Sequence, residues 1–475
     1  KALEEKMNCD IEFVYLPSTV AEAKQKVELM IAADGKDLPD IIVNVPMEDS
    51  SILRYGSRGF IKSLNQYYDN SAYYLNDVLK AETNLKDMIT MADGNIYVIP
   101  RYQKILQNEL GYRMWIYKPW LEKLNLSEPK TLDEFYNVLK AFKEKDPNGN
   151  GLADEIPFIG ATSGGENWFC DFIAAAFQPI DIQSNYLYPE NGKIKAAYVE
   201  PEYKEALKYL NKLCTEGLLS PSSFTSDGEQ TRQTIQNPSG VQVGCFTSMA
   251  PTYLINATDS AEGYDILAPL TQDNGTGYAV YGASIPTNSF FITKNCQYPE
   301  AAFRLGDIMM SEEMSIWNRF GKKGTDWVEP EEGDHGMFES MGYKAKIKPI
   351  LAWGSPQNSH WQQGAPAYRG YELACATVDS GSNIYETRIA EHLQSYLDKK
   401  PKEYITKIIY TEDEINAINE IQQNITSYRK DSVARFIIGD WDIESGWEDY
   451  LKEMKAIGVD EMLDIVQKAY DRCNK

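Results

Sequence analysis

Histidine, closely spaced cysteines and long apolar segments are all scarce in this sequence of 475 residues. The three histidines, His335, His360 and His392, do not have the spacing of a zinc site, so zinc chemistry and histidine-based catalysis are disfavoured. The seven cysteines are scattered without a CxxC pair, and we expect them to be small buried residues. No apolar run reaches the ~18 residues of a transmembrane helix, so none is predicted.

Positive charge is also in deficit, with 47 Lys and Arg against 70 Asp and Glu and a net charge of −23. Such a charge repels phosphate backbones and anionic lipid surfaces, which disfavours nucleic-acid binding. It does not forbid an acidic ligand, because a local group of basic side chains could still bind one. The motifs GxSxG, GxGxxG and GxxxxGK[ST] are absent, which removes the simplest arguments for a hydrolase, a dinucleotide enzyme or an NTPase.

Hydrophobic periodicity predicts an α/β fold. Residues 11–15 alternate as in a strand, residues 20–31 have helical spacing, and residues 39–43 form a short apolar strand, which together predict βα units of a parallel sheet. Capping boxes at Thr131 with Glu134 and at Thr411 with Glu414 predict later helices, and the second half is mostly helical. The length favours two lobes over one core.

Residues 146–155 resemble the first half of an EF-hand calcium loop, with oxygen-bearing side chains at positions one, three and five and Gly151 at position six. An EF-hand has a bidentate Glu at position twelve, whereas this chain has Pro157, so later acids must complete the site. The alternative is a plain Asn- and Gly-rich turn. The predicted oxygen ligands of Ca²⁺ are Asp146, Asn148, Asn150, Leu152 through its carbonyl, Asp154 and Glu155.

Aromatic rings with a polar group are abundant, since the chain has 31 Tyr and 9 Trp against 16 Phe. Several lie beside polar residues, as in Arg101-Tyr102-Gln103 and Tyr112-Arg113. The apolar faces of sugars stack on such rings while polar neighbours bind the hydroxyl groups. For any single ring, a place in the core is the alternative interpretation.

Taken together, these segments resemble a known family. Matching pieces include the Leu-Pro-Asp-Ile-Ile strand at 38–42, Asp-Gly-Asn-Ile-Tyr at 93–97, the calcium loop, and Glu-Gly-Leu at 216–218. The sequence resembles the extracellular solute-binding lipoproteins of bacterial ABC importers for oligosaccharides, in particular the large calcium-loop group that includes alginate-binding proteins. One departure is Tyr117-Lys118-Pro119, where the family has a different turn.

The resemblance implies a two-lobe α/β periplasmic-binding-protein-like fold with a hinge and a helix-rich C-terminal lobe. It implies capture of an oligosaccharide without catalysis, structural Ca²⁺, and delivery to the membrane subunits of an ABC importer. It also implies a monomer held by a lipid-modified cysteine upstream of Lys1, on the extracellular face of the cytoplasmic membrane of a Gram-positive-type bacterium.

We expect an N-lobe of residues 1–110 plus 288–345 and a C-lobe of residues 111–287 plus 346–475, connected near 109–114 and 279–286. Ligand sites lie between domains and at strand ends. The predicted ligand-binding residues are Tyr102, Tyr112, Arg113, Trp168, Tyr281, Trp353 and Trp361.

Two other functions stay open at this point. A glycan-degrading enzyme would need two carboxylates at a defined separation, and 70 acids give many pairs without singling one out. A surface glycan-binding protein without a transport role would lack the hinge.

Overall fold

The computed structural model describes residues 2–162, 169–249, 262–350, 359–361, 364, 366–378 and 384–473. Its strands are β1 (Ile41–Val43), β2 (Pro100–Gln103), β3 (Arg113–Tyr117), β4 (Ile156–Ile159), β5 (Leu187–Glu190), β6 (Lys193–Ala196), β7 (Val243–Ser248), β8 (Tyr264–Leu267), β9 (Thr287–Asn288), β10 (Phe290–Ile292), β11 (Trp327–Val328), β12 (Lys348–Pro349) and β13 (Ala367–Arg369).

Helices surround these strands. The longer ones are Val20–Ala32, Asp49–Ser57, Tyr74–Ala81, Leu132–Glu144, Pro201–Thr215, Gly228–Ile235, Pro299–Met309, Glu312–Phe320, Ile384–Leu397, Glu412–Ile438, Ile443–Ile457 and Val459–Cys473. The shorter ones are Ala2–Met7, Asn65–Asn70, Leu85–Ile89, Leu106–Glu109, Lys118–Lys123, Phe169–Ala174 and Tyr371–Ala374. Among the described helices, none combines the length and the apolar character needed to cross a membrane.

The first hydrophobic core is formed mainly by residues 23–102 and 290–310. Strand β1 pairs antiparallel with β10, so that Ile42 is opposite Phe291. Helix Val20–Ala32 buries Ala23, Val27 and Ile31, which recur every four residues and therefore lie on one face of the helix. Two distant segments of the chain thus build one core.

The second core is built on a four-stranded sheet of order β4-β7-β3-β8. Strand β3 is buried on both faces, because Met114 and Ile116 pack into one hydrophobic cluster and Trp115 into another. The first cluster includes helix Pro201–Thr215 and the three C-terminal helices, and the second includes helix Ile384–Leu397. This part of the protein is rich in helices, as predicted.

A three-stranded sheet of order β13-β2-β9, which we call the hinge sheet, lies where the chain passes between the two parts. Strand β13 runs parallel to β2, and β9 runs antiparallel to it. The expected lobe ranges also imply a third crossing, near residues 345–346, but β13 still pairs with β2, so the chain enters the second part through residues 370–378. Met337 and Phe338 pack with Phe246 of β7. The lobe boundaries stay a prediction.

The parallel sheet predicted for the first residues is wrong in two respects. Strand β1 has an antiparallel partner, because the chain returns to it from a distant segment in the opposite direction. Residues 11–15 form no strand, and Phe13, Val14 and Tyr15 are exposed. Alternating apolar residues form a strand only where a neighbouring strand accepts their main-chain hydrogen bonds, and no described segment pairs with these residues.

The predicted helix starts are confirmed. Both capping boxes form, with Thr131 accepting from the Glu134 N–H and Thr411 accepting from the Glu414 N–H. The cysteine prediction holds for Cys214, Cys245, Cys296 and Cys375, which are buried, and is wrong for Cys9 and Cys473, which are exposed.

Candidate functional site

Arg101 and Arg369 lie on one face of the hinge sheet. In the pairing of β13 with β2, Ala367 is opposite Arg101 and Arg369 is opposite Gln103, and residues two apart in a strand share a face. Arg369 is 5% exposed, and its guanidinium carbon is 5.9 Å from the centroid of the Phe320 ring. Burial lowers the pKa of Arg101. This face therefore carries buried positive charge in a strongly acidic protein.

Ser359 and Gly364 lie against the end of helix Glu312–Phe320, whose Phe320 ring also lies near Arg369. The indole N–H of Trp317 donates to the carbonyl of Ser359 at 2.9 Å, and the Asn318 amide donates to the carbonyl of Gly364. Gly364 in turn lies against the side chain of Asn44, the residue that follows β1.

Trp361, within this segment, is 45% exposed. Of the predicted ligand-binding residues that the structure describes, Trp361 is the one with a largely exposed side chain. It follows His360 and lies between Ser359 and Gly364 in the sequence, the two residues that bond to Trp317 and Asn318. An exposed indole provides the stacking surface that a sugar needs, while the hydrogen-bond donors must come from polar groups around it.

Arg113 begins strand β3 of the second sheet, and Tyr112 directly precedes it. Arg113 is 3% exposed and donates to the carbonyls of Gly111 at 3.4 Å and Met249 at 3.0 Å. Burial lowers the pKa of Arg113 to about 10. Tyr112 is half-buried, and burial, followed by the nearby carboxylates of Asp171 and Asp181, raises its pKa to about 12. In this conformation Arg113 positions main chain, and ligand contact by both residues stays a prediction.

Tyr102 and Tyr281 are buried in a polar network at the hinge, being 4% and 3% exposed. The Tyr281 hydroxyl donates to Glu109 at 3.5 Å, and the centroids of the Tyr281 and Tyr404 rings are 4.8 Å apart. Burial raises the pKa of Tyr102 and of Tyr281, with nearby carboxylates adding to the effect. Tyr102 lies on the face of β2 opposite to Arg101.

Trp168 and Trp353 lie outside the described residues, and their part in the site stays a prediction. Sequence reasoning did not select Arg369 and Asn318. Arg369 had a usable signal, since Tyr368-Arg369-Gly370 repeats the aromatic-and-basic pattern seen at Arg101-Tyr102.

The calcium loop follows helix Leu132–Glu144 directly. Asp146 has φ +46°, and its carboxylate accepts from the N–H groups of Gly149 at 2.8 Å, Asn150 at 3.2 Å and Gly151 at 3.0 Å. These bonds turn the loop back on itself. The amide of Asn150 donates to both carboxylate oxygens of Asp154, at 3.1 and 3.0 Å.

The residues of this loop fit a hard cation. One carboxylate oxygen of Glu155 is buried with no hydrogen-bond partner among the described residues, and burial raises the pKa of this carboxyl. A buried carboxylate oxygen without a donor is costly unless a cation or proton meets it. Across the described part of the chain, no three or more His, Cys, Asp or Glu side chains converge as a metal site, so a cation in this loop would also need amide and carbonyl oxygens.

Sequence comparison gives one family match and several full-length relatives. The family model described as bacterial extracellular solute-binding protein matches residues 1–315. The fructooligosaccharide ABC transporter substrate-binding protein FusA of Streptococcus pneumoniae serotype 4 is 26% identical over 482 residues, covering 99% of this chain and 86% of FusA. Lipoprotein LipO of Bacillus subtilis strain 168 is 26% identical over 491 residues, covering 99% of this chain and 88% of LipO.

Structure comparison gives the same fold. The chain is similar to an EF-hand mutant of S. pneumoniae FusA in complex with fructo-nystose, with a TM-score of 0.78 and 23% identity over 100% of this chain and 95% of that chain. The predicted two-lobe α/β fold is therefore confirmed.

Proposed function

The chain belongs to the family of bacterial extracellular solute-binding proteins, and from this premise we propose that it captures an oligosaccharide between its two lobes and delivers it to an ABC importer. FusA, a relative along nearly the whole chain, is a fructooligosaccharide substrate-binding protein of an ABC transporter. The sugar leaves the protein unchanged, because capture and release need no bond to be broken.

The observation that carries this proposal is the open ring of Trp361, whose carbonyl accepts from the Gly364 N–H at 3.0 Å. Gly364 is bonded to Asn318, and the same helix places the Phe320 ring near Arg369 of the hinge sheet. Trp361 stacks on a sugar ring, and Arg101 and Arg369 supply hydrogen-bond donors from the N-lobe side. Tyr112 and Arg113 contribute from the C-lobe side once the cleft closes. Because each lobe supplies part of the contacts, the closed form binds more tightly than the open form.

Calorimetric titration with two saccharides tests the proposal. Fructo-nystose serves as the neutral probe and a short galacturonate oligomer as the acidic probe, and chromatography of the recovered sugar detects cleavage. We expect binding of at least one probe, recovered intact, and a loss of at least about tenfold in affinity for Trp361→Ala. Tyr298→Ala is the matched control, since Tyr298 is an aromatic residue with 76% exposure outside the proposed site. Cleavage of either probe would indicate an enzyme instead.

We also propose that the loop of residues 146–155 binds one structural Ca²⁺ through the six ligands predicted from sequence. The orphaned oxygen of Glu155 and the oxygen-only donor set support this. The solved structure of an EF-hand mutant of FusA is consistent with such a loop in a relative. When bound, the ion fixes the loop between helix Leu132–Glu144 and strand β4 and contributes no chemistry to the sugar.

The family description supports an extracellular location. We propose that a lipid anchor holds the protein as a monomer on the outer face of the cytoplasmic membrane of a Gram-positive-type bacterium, where it meets the membrane subunits of the importer. The name of the relative LipO, a lipoprotein, supports the anchor. Mass spectrometry of the protein isolated from its native membrane tests for the lipid.

A further inference from the structure

Glu109 joins segments that connect the two lobes. It lies between β2 and β3, is 4% exposed, and accepts hydrogen bonds from the Tyr371 hydroxyl at 3.2 Å, the Tyr281 hydroxyl at 3.5 Å and the Ser284 N–H at 3.3 Å. Its own carbonyl accepts from the Gly282 N–H at 3.1 Å. Tyr281, Gly282 and Ser284 belong to the second connection, and Tyr371 belongs to the third, so one carboxylate bonds to both of the others.

Two lysines extend this network in opposite directions. Lys104 donates to Glu82 at 3.1 Å and lies 5.4 Å from the centroid of the Tyr371 ring. Glu82 follows helix Tyr74–Ala81 of the first core. Lys400, on the other side, lies 4.3 Å from the centroid of the Tyr281 ring and follows helix Ile384–Leu397. The network therefore runs from a helix of one lobe to a helix that packs on the sheet of the other.

We propose that Glu109 is a positioning residue at the hinge, which sets the equilibrium between the open and closed arrangements of the lobes without touching the ligand. Rotation of one lobe against the other must change the main-chain angles of the connecting segments. The bonds of Glu109 hold those segments in fixed relation, so they favour the arrangement in which all three donors reach the carboxylate. Ligand affinity then depends on Glu109 through the population of the closed form.

The inference rests on the proposed function only for its effect on sugar binding, since lobe movement can be measured without a ligand. Small-angle scattering of the ligand-free protein compares wild type with Glu109→Gln, which keeps the side-chain shape but replaces one acceptor oxygen by a donor amide. We expect the ratio of the two arrangements to change about tenfold, because bonds to a charged group are stronger than neutral ones.

Asp307→Asn is the matched control. Asp307 is 1% exposed and also accepts from three N–H groups, those of Tyr73, Tyr74 and Leu75, but all three belong to the chain ranges that build the first core. A change in radius of gyration for Glu109→Gln alone supports the proposal. Curves that superimpose for wild type and Glu109→Gln, or that change equally for both variants, overturn it.

A second pair of variants covers the case in which Glu109→Gln does not fold. Tyr371→Phe removes one donor to Glu109, and Tyr209→Phe removes one comparable bond to the Leu132 carbonyl inside the C-lobe. Only Tyr371→Phe is expected to change the scattering, and no change would overturn the proposal. If neither saccharide binds but the scattering changes, the function proposed above fails and the role of Glu109 stands.

Discussion

Ionisation of Asp181 is expected to destabilise the protein as the pH rises towards neutrality. Asp181 is 4% exposed and accepts from the Ser184 N–H at 3.1 Å and the Ser184 hydroxyl at 2.9 Å. Burial outweighs these two bonds, which favour the charged form, and raises the pKa of Asp181 to about 7. Asp171, also buried, shifts in the same direction, with a pKa of about 6.

The size of this loss of stability follows from the pKa shift of Asp181. Raising the pKa of Asp181 from 3.8 to about 7 costs the folded state ~4 kcal/mol once the group is ionised, at 1.36 kcal/mol per pKa unit. Between pH ~4 and ~7 the unfolded carboxyl is ionised while the folded one keeps its proton, so the free energy of unfolding falls as the pH rises. About 2.5 kcal/mol of this loss lies between pH 5 and pH 8.

Urea unfolding at pH 5 and pH 8, followed by tryptophan fluorescence, measures the effect. Asp181→Asn keeps an acceptor for the Ser184 N–H but does not titrate. Wild type should be more stable at pH 5 than at pH 8, and the variant should lose about 2.5 kcal/mol of this difference in unfolding free energy. Exposed Asp440→Asn is the control and should leave the difference unchanged. An identical pH dependence in wild type and Asp181→Asn would refute the reasoning.

Three further outcomes are expected. Calcium chelation should lower the melting temperature of wild type and have little effect on Asp146→Ala; an unchanged wild-type melting temperature would contradict a structural ion. Trp361→Ala should change the free energy of unfolding by less than ~1 kcal/mol, whereas fully buried Trp115→Ala should cost about 3–5 kcal/mol; a large loss at Trp361 would make it a core residue. Saturation with a bound saccharide should reduce the radius of gyration, and unchanged dimensions would favour a surface glycan-binding protein.

Local sequence signals predicted the helices well, because capping and periodicity act within a few residues. Thr131 with Glu134 predicted a helix start correctly, and the helix ends at Glu144, directly before the turn at Asp146 that the sequence indicates. Pairing of strands could not be predicted in the same way. The partner of β1 is β10, about half of the chain away in sequence, and the direction of that return sets an antiparallel pair. Residues 11–15 show the same limit, since their alternation carries no information about a partner.

The ligand-binding residues stay a prediction, and the structure shows what the sequence could not indicate about them. Aromatic residues beside polar ones drew attention to Arg101-Tyr102, but alternation along one strand sends these two side chains to opposite faces. Burial separates Trp361 from Tyr281 in the structure. The local sequence agrees, since Trp361 lies between His360 and Gln362 whereas Tyr281 lies between Val280 and Gly282. The position of Arg369 on the same face as Arg101 depends on the register of β13 against β2, which only the fold determines.

The two faces of β2 suggest how binding and movement are kept apart. Arg101 points to the face shared with Arg369, while Tyr102 points towards the carboxylates of Glu82 and Glu109. Strand β2 has a neighbouring strand on each side. A substitution on one face of β2 therefore cannot displace the strand without breaking its main-chain hydrogen bonds. A substitution at Arg101 should therefore alter sugar affinity at constant lobe equilibrium, whereas a substitution at Glu109 should alter the equilibrium and affect affinity only through it.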